Sequence, residues 1–190
     1  GNTAVAGGVL WIPGNRVMLR EGLQDDRERA LDYLRQLAQG QADDELIEAF
    51  LAHGPDMLDF VEKRTSLRWR VSLLMGAVAD YHPTWRGSNV RGRSVEPVQA
   101  TVALAGPLLS GGLLTAADAA GVPLWTATPA RKLIARQTDA GTQVLGVEAE
   151  QHGKLLRIRA RRGVVVATGG FERNPEMKRH FLRGPSPYTL

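Results

Sequence analysis

The sequence predicts an α/β fold with an antiparallel β-meander and a helical insert. Three observations predict it. Residues Val164 to Ala167 form an apolar, strand-type run that stops at Gly169-Gly170 and leads into a helix opening at Asn174-Pro175. That is how a buried parallel strand delivers bare backbone to a large ligand. Apolar residues between positions 25 and 62 recur at three-to-four spacing, the period of helices packed on one face. Residues 123–160 are short strand-type runs separated by hairpin turns. A second glycine-rich stretch, Thr3 to Gly8, lies far away in sequence. Two such edges point to one shared cofactor site.

In chain order, Gly1 to Arg20 reads as a glycine turn, an apolar segment Val9 to Ile12 and a Pro13-Gly14-Asn15 turn. Ala30, Leu31, Leu34, Leu37 and Ala38 predict a helix over Asp25 to Ala38, stopped at Gly40. Asp43 caps a second helix to His53, with Leu46, Ile47, Phe50 and Leu51 as its stripe. Gly54-Pro55 predicts a break, and Pro55 suits the first turn of a third helix through Glu62. A short strand is expected at Leu67 to Trp69. The stretch Asp80 to Pro97 has the glycines, prolines and length of a functional loop. Leu108 to Ala120 predicts a helix with Gly121 as its stop. Strands follow at Pro123 to Thr126, Arg131 to Gln137, Gln143 to Glu150, Leu155 to Ala160 and Val164 to Ala167.

The 190 residues fit one domain or part of a larger protein, and the abrupt Gly-Asn-Thr start points to a piece of a longer chain. With no cysteine, disulfides and thiolate metal sites are excluded, and a cytoplasmic location is expected. Gly1 to Trp11 lacks the basic leader of a signal peptide. No apolar run reaches the roughly 18 residues that span a bilayer. The net charge of +4 is modest and mixed, which gives weak grounds for a nucleic-acid partner.

Three motifs carry a resemblance. They are Gly7-Gly8-Val9-Leu10-Trp11-Ile12-Pro13, then Phe50 to Met57, and then Asp80-Tyr81-His82-Pro83 with Gly92-Arg93-Ser94-Val95-Glu96-Pro97. Together with the closing Ala-Thr-Gly-Gly-Phe-Glu-Arg-Asn-Pro series, they resemble the FAD-dependent dehydrogenases of the fumarate reductase and 3-ketosteroid dehydrogenase group, closest to the steroid branch. The resemblance covers nearly the whole chain. It implies part of an FAD-binding Rossmann-like domain, with a helical insert over about 20–97 and a meander and closing strand over about 123–170. It also implies FAD as cofactor and dehydrogenation of a 3-ketosteroid-like substrate by hydride transfer to flavin N5. The group's Gly-x-Gly-x-x-Gly turn is not in this sequence, and its capping domain is expected beyond Leu190. Thr101 to Gly112 also departs from the group's pattern. Two alternatives stay open: a fumarate reductase-like flavoprotein acting on a small dicarboxylate, and a non-catalytic remnant of the fold that does not bind FAD.

By the same resemblance, Thr3, Ala6, Gly7 and Gly8 pass close to the flavin, where small residues keep the ring unobstructed. Ala130 meets the adenine through its backbone. Ala167, Thr168, Gly169 and Gly170 run past the adenosine. Read without it, each of these segments is an ordinary turn. Tyr81 matches a supporting active-site tyrosine, and the principal tyrosines are expected outside this chain. A phenol works as an acid or base only where its surroundings bring its pKa from about 10 towards neutrality. His82 reads as a loop residue, and His53, His152 and His180 lack ligand spacing, so no metal site is expected. Arg157, Arg159 and Arg161 alternate along a strand and, with Arg162, read as a solvated charged face. Trp69 and Trp85 either line an apolar pocket or pack the helical insert. The expected partner is a small, steroid-like apolar substrate, with the electron acceptor unknown.

Overall fold

In the computed structural model, which describes residues 2–75, 77–101, 105–171 and 173–182, the chain opens on α1 (Asn2–Val5). Strand β1 (Leu10–Trp11) and α2 (Arg16–Arg20) follow. Asn15 creates α2 by accepting the Met18 N–H at 2.9 Å, while its own amide ties back to the Ile12 carbonyl at 2.7 Å. Contacts divide the chain into two units, Gly1–Pro123 and Leu124–Leu190.

In the first unit, α3 (Arg27–Ala38) begins where Asp26 accepts the Arg29 N–H, and ends with Gln39 and Gly40 at positive φ. The next helix corrects an expectation. Asp44 to Arg64 is one continuous helix, α4, with Pro55 inside it. A proline there removes one backbone hydrogen bond and costs about 3 kcal/mol. The buried stripe Ile47, Leu51, Leu58 and Val61 outweighs that cost, at roughly 1.5–3 kcal/mol for each fully buried side chain. Gly54 assists, since a Cβ there would sit 3.0 Å from Ile12 Cγ2. Asp43 stands at the N-cap but its side chain makes no capping bond.

Strands β2 (Trp69–Val71) and β3 (Ser94–Pro97) complete an antiparallel sheet in the order β1-β3-β2. Val95 lies at its centre, opposite Leu10 on one side and Val71 on the other. It is buried in the main core with Ile12, Met18, Leu58, Trp69 and Leu109. Strand β3 falls within the stretch read as irregular loop. Helix α5 (Ala105–Ala119) closes the unit. Gly112 lets it approach Leu67, whose Cγ would lie 2.7 Å from an added Cβ.

The second unit is built on the meander β4 (Ala130–Thr138), β5 (Gly141–Gln151) and β6 (Lys154–Arg159), all antiparallel, followed by α6 (Pro175–Phe181). Asn174 caps α6 by accepting the Glu176 and Met177 N–H groups. Ala135 pairs with Val144 but Ile134 pairs with Gly146, so Leu145 is an extra residue that bulges β5. Two expected strands do not form. Residues 123–126 and 164–167 have no strand pairing, and Val165 is 92% exposed. An apolar run becomes a strand only when a neighbour takes its backbone hydrogen bonds, and among the described residues no strand edge does so.

Candidate functional site

The glycine-rich stretch near the start packs backbone to backbone on α5. Gly8 has φ +65°, and a Cβ on it would lie 2.2 Å from the Ala105 carbonyl carbon. Gly106 answers from the other side, where a Cβ would meet the Ala6 oxygen at 2.1 Å and the Thr3 oxygen at 2.7 Å. Thr3 and Ala6 therefore lend carbonyls to a tight helix contact, and their side chains are exposed. Gly7 is different. Among the described residues, nothing lies within 4 Å of where its Cβ would be. Its bare face borders a cavity of about 530 Å³, walled by Val9, Leu73, Leu74, Met75 and Ala105 and floored by Arg70, Ser72 and Glu96.

That floor is a satisfied ion pair. Arg70 donates to Glu96 Oε1 at 2.9 Å and to the Ala100 carbonyl at 2.6 Å, and Ser72 Oγ donates to Glu96 Oε2 at 2.7 Å. Burial pushes the Glu96 carboxyl up, but hydrogen bonds from Ser72, the Leu73 N–H and Arg70 outweigh it and hold the group below the usual carboxylate range.

A second cavity, of about 660 Å³, lies beside the first and shares Val9 and Met75 with it. Its wall is largely apolar, with Trp11, Tyr33, Leu37, Val78 and Pro83, and Tyr81 stands at it. The Tyr81 side chain is 90% exposed. Its ring meets His82 edge-on at 4.8 Å, and His82 stacks on Trp85 at 4.0 Å. The His82 N–H donates to the buried Tyr33 hydroxyl at 3.0 Å, which fixes the turn carrying Tyr81. Trp11 lines the cavity, whereas Trp69 is buried in the core with its indole N–H on the Leu58 carbonyl, packing the helical insert.

Sequence reasoning missed what holds this wall. Arg93 is 2% exposed. It grips Asp25 with two bonds, Nε to Oδ2 at 2.9 Å and Nη2 to Oδ1 at 2.7 Å. It donates to Asp80 Oδ2 at 2.7 Å and to the Gly87 carbonyl at 3.1 Å. Its guanidinium lies 5.7 Å from the ring centroids of both Trp11 and Tyr33. Asp80 also accepts from the Trp11 indole and the Asn89 N–H. Three distant segments thus meet at one cation, next to Tyr81. Asp80 and Arg93 both stood within the quoted motifs, and a charge beside a conformationally special loop was the available signal.

In the second unit, Ala130 begins β4 opposite Ala149, and Thr128 and Gln151 hydrogen-bond beside it at 3.0 Å. Ala167, Thr168, Gly169 and Gly170 form an exposed, irregular segment. Gly169 has φ +76° with nothing among the described residues within 4 Å of an added Cβ. The candidates therefore fall into two sets. Thr3, Ala6, Gly7, Gly8 and Tyr81 belong to the first unit, and Ala130 with Ala167 to Gly170 to the second. Among the described residues, no group of three or more His, Asp or Glu stands ready for a metal, and no helix is long and apolar enough to cross a membrane.

The model of the FAD binding domain family matches residues 1–189. The chain belongs to this family. FAD is the cofactor that membership implies; within the first unit the open face at Gly7 fits a planar, backbone-contacting group, whereas the open side of Gly8 is already filled by α5. Among similar proteins, 3-oxosteroid 1-dehydrogenase of Comamonas testosteroni is 27% identical, across 98% of this chain and 43% of its own length. The 3-oxosteroid 1-dehydrogenase of Mycobacterium tuberculosis is 28% identical, across 97% and 43%. The crystal structure of 3-ketosteroid Δ1-dehydrogenase from Sterolibacterium denitrificans, in complex with 1,4-androstadiene-3,17-dione, superposes with a TM-score of 0.87 at 24% identity, covering 98% of this chain and 44% of that one. This chain therefore has the FAD-binding domain fold of the ketosteroid dehydrogenases and spans less than half the length of the relatives it matches.

Proposed function

We propose that this chain is the cofactor-holding part of an FAD-dependent dehydrogenase that acts on a CH–CH bond of a flat, neutral, 3-oxosteroid-like ketone. The observation that carries the reading is the pair of apolar cavities meeting at Val9 and Met75, one beside the bare face of Gly7 and the other beside Tyr81. FAD, when bound, supplies the hydride acceptor. The chain's own residues shape the two spaces, line the second with the apolar surfaces of Trp11, Leu37 and Val78, and place a phenol at the substrate end. The Tyr81 hydroxyl is suited to hydrogen-bond a ketone oxygen there. A dicarboxylate fits this wall poorly. Among its described lining residues the one cation is Arg93, already committed to two aspartates. The cysteine-free composition supports a cytoplasmic setting as part of the same proposal.

The test is direct. Purified chain is equilibrated with FAD, freed of excess and examined for a bound yellow chromophore. 4-Androstene-3,17-dione is then titrated while tryptophan fluorescence is recorded, because Trp11 lines the cavity. The reading expects retained FAD and saturable quenching that succinate does not reproduce. A colourless protein would favour the non-catalytic remnant. Quenching by succinate but not by the steroid would move the assignment to the dicarboxylate enzymes.

A further inference from the structure

The second unit carries a basic cavity that the flavoprotein reading does not use. Residues 124–190 hold twelve Lys and Arg against five Asp and Glu, a net charge of +7, whereas residues 1–123 hold twelve against fifteen, a net charge of −3. The excess is focused. A cavity of about 540 Å³ on the meander is lined by Arg136, Arg157, Arg159, Arg161 and Arg162, and among the described residues no carboxylate lines it. Its volume is that of a small-molecule site. Arg157 is paired with Glu148, and Arg136 donates to Gln143. The side chains of Arg159, Arg161 and Arg162 make no ion pair or hydrogen bond among the described residues.

The backbone explains why these side chains converge. The Leu145 bulge bends β5 where Gln143 to Leu145 line the cavity, and the Ala160 N–H donates to the Leu145 carbonyl at 2.8 Å, pinning the end of β6 to the bend. The chain then bends at Arg161 and Arg162, which line the same cavity as Arg159. Guanidinium forks match phosphate oxygens two at a time, and several around one concavity repel each other until an anion joins them.

The geometry points to a binding site for a compact, multiply charged phosphate anion of the pyrophosphate type, held by Arg159, Arg161 and Arg162. Three unpaired forks match the three to four negative charges of two linked phosphate groups. Among the described residues no aromatic side chain lines the cavity, so a nucleic-acid base finds no stacking platform there. The proposal is independent of the FAD reading, because the arginines were not among the residues assigned to that cofactor.

The probe is inorganic pyrophosphate, titrated calorimetrically into the full chain at low salt, with and without saturating FAD. FAD occupancy is followed separately by visible absorbance. One saturable site is expected, unaffected by FAD and weakened as salt rises. Arg159→Gln and Arg161→Gln should each weaken binding about tenfold, the loss of a charge-assisted hydrogen bond. Arg159→Lys keeps the charge, preserves the strand and should retain most of the affinity. Arg131→Gln, in the same sheet but paired with Glu150 outside the cavity, should change little. Absence of saturable binding would overturn the site. So would an equal loss from Arg131→Gln, or full one-for-one displacement by FAD, which would make the arginines part of the cofactor's own site.

Discussion

Replacing Arg93 with methionine keeps most of the side chain's length and removes its charge and all four of its hydrogen bonds. Two carboxylates, 4% and 5% exposed, then lose the cation between them. Breaking a buried pair by removing one partner costs about 3–5 kcal/mol. Neither aspartate is left bare. Asp25 still accepts from Gly14 and Asn89, and Asp80 from Trp11 and Asn89. That softens the loss but leaves two negative charges in one small space. A loss of about 4 kcal/mol lowers the folded-to-unfolded ratio about a thousandfold, against a total of roughly 5–15 kcal/mol for a domain. Urea unfolding read by tryptophan fluorescence suits the test, since Trp11 lies against the guanidinium. Arg93→Lys should fall between wild type and methionine, because an ammonium keeps the charge without the fork. An Arg93→Met midpoint corresponding to less than about 1 kcal/mol of destabilisation would refute the reasoning and mark the cluster as structurally redundant.

Gly8→Ala should destabilise the first unit by about 1–3 kcal/mol, because its Cβ would meet the α5 backbone at positive φ, and thermal melts will read this. Gly7→Ala should leave stability within about 0.5 kcal/mol yet weaken FAD retention, a contrast measured by pairing melts with visible absorbance. Pro55→Ala should stabilise α4 by about 1–3 kcal/mol, seen as a raised melting temperature. Glu62 behaves like Glu96: burial pushes its carboxyl up, and hydrogen bonds from the Trp69 N–H and Arg20 outweigh this and hold it below the usual range. A carboxyl lowered in the folded state stabilises fully above its unfolded pKa and loses that contribution as pH falls through its folded value. The deficit of Glu96→Gln in urea should therefore be largest at neutral pH and shrink in acid; a deficit constant with pH would count against it.

Helix α3 was legible because its stripe and its Asp26 cap are local signals. The meander was legible because alternation and turn residues fix hairpins over short distances. The break at Gly54-Pro55 was a sound local inference that tertiary packing overrode, since Ile12 fills the space that glycine opens. Strand β3 gave no signal: Ser-Val-Glu-Pro lacks apolar alternation, and its burial depends on Arg70 neutralising Glu96. The runs at 123–126 and 164–167 failed the other way, carrying strand composition without a described strand to pair with. At the site, the open backbone of Gly7 could be anticipated, but not that the adjacent glycine serves helix packing. The Arg93 cluster was hidden by distance, its aspartates lying 68 and 13 positions away.

The opposite signs of the two units reach beyond either binding site. A chain that is acidic over one stretch and basic over the other attracts its own copies, tail to head, when little electrolyte is present. At about 0.15 M ionic strength the attraction fades within roughly 8 Å. Dilute buffer should therefore turn concentrated solutions cloudy, and added sodium chloride should clear them. Such a chain should also be retained on both cation- and anion-exchange resins at the same pH, where its net charge of +4 alone would favour only the first.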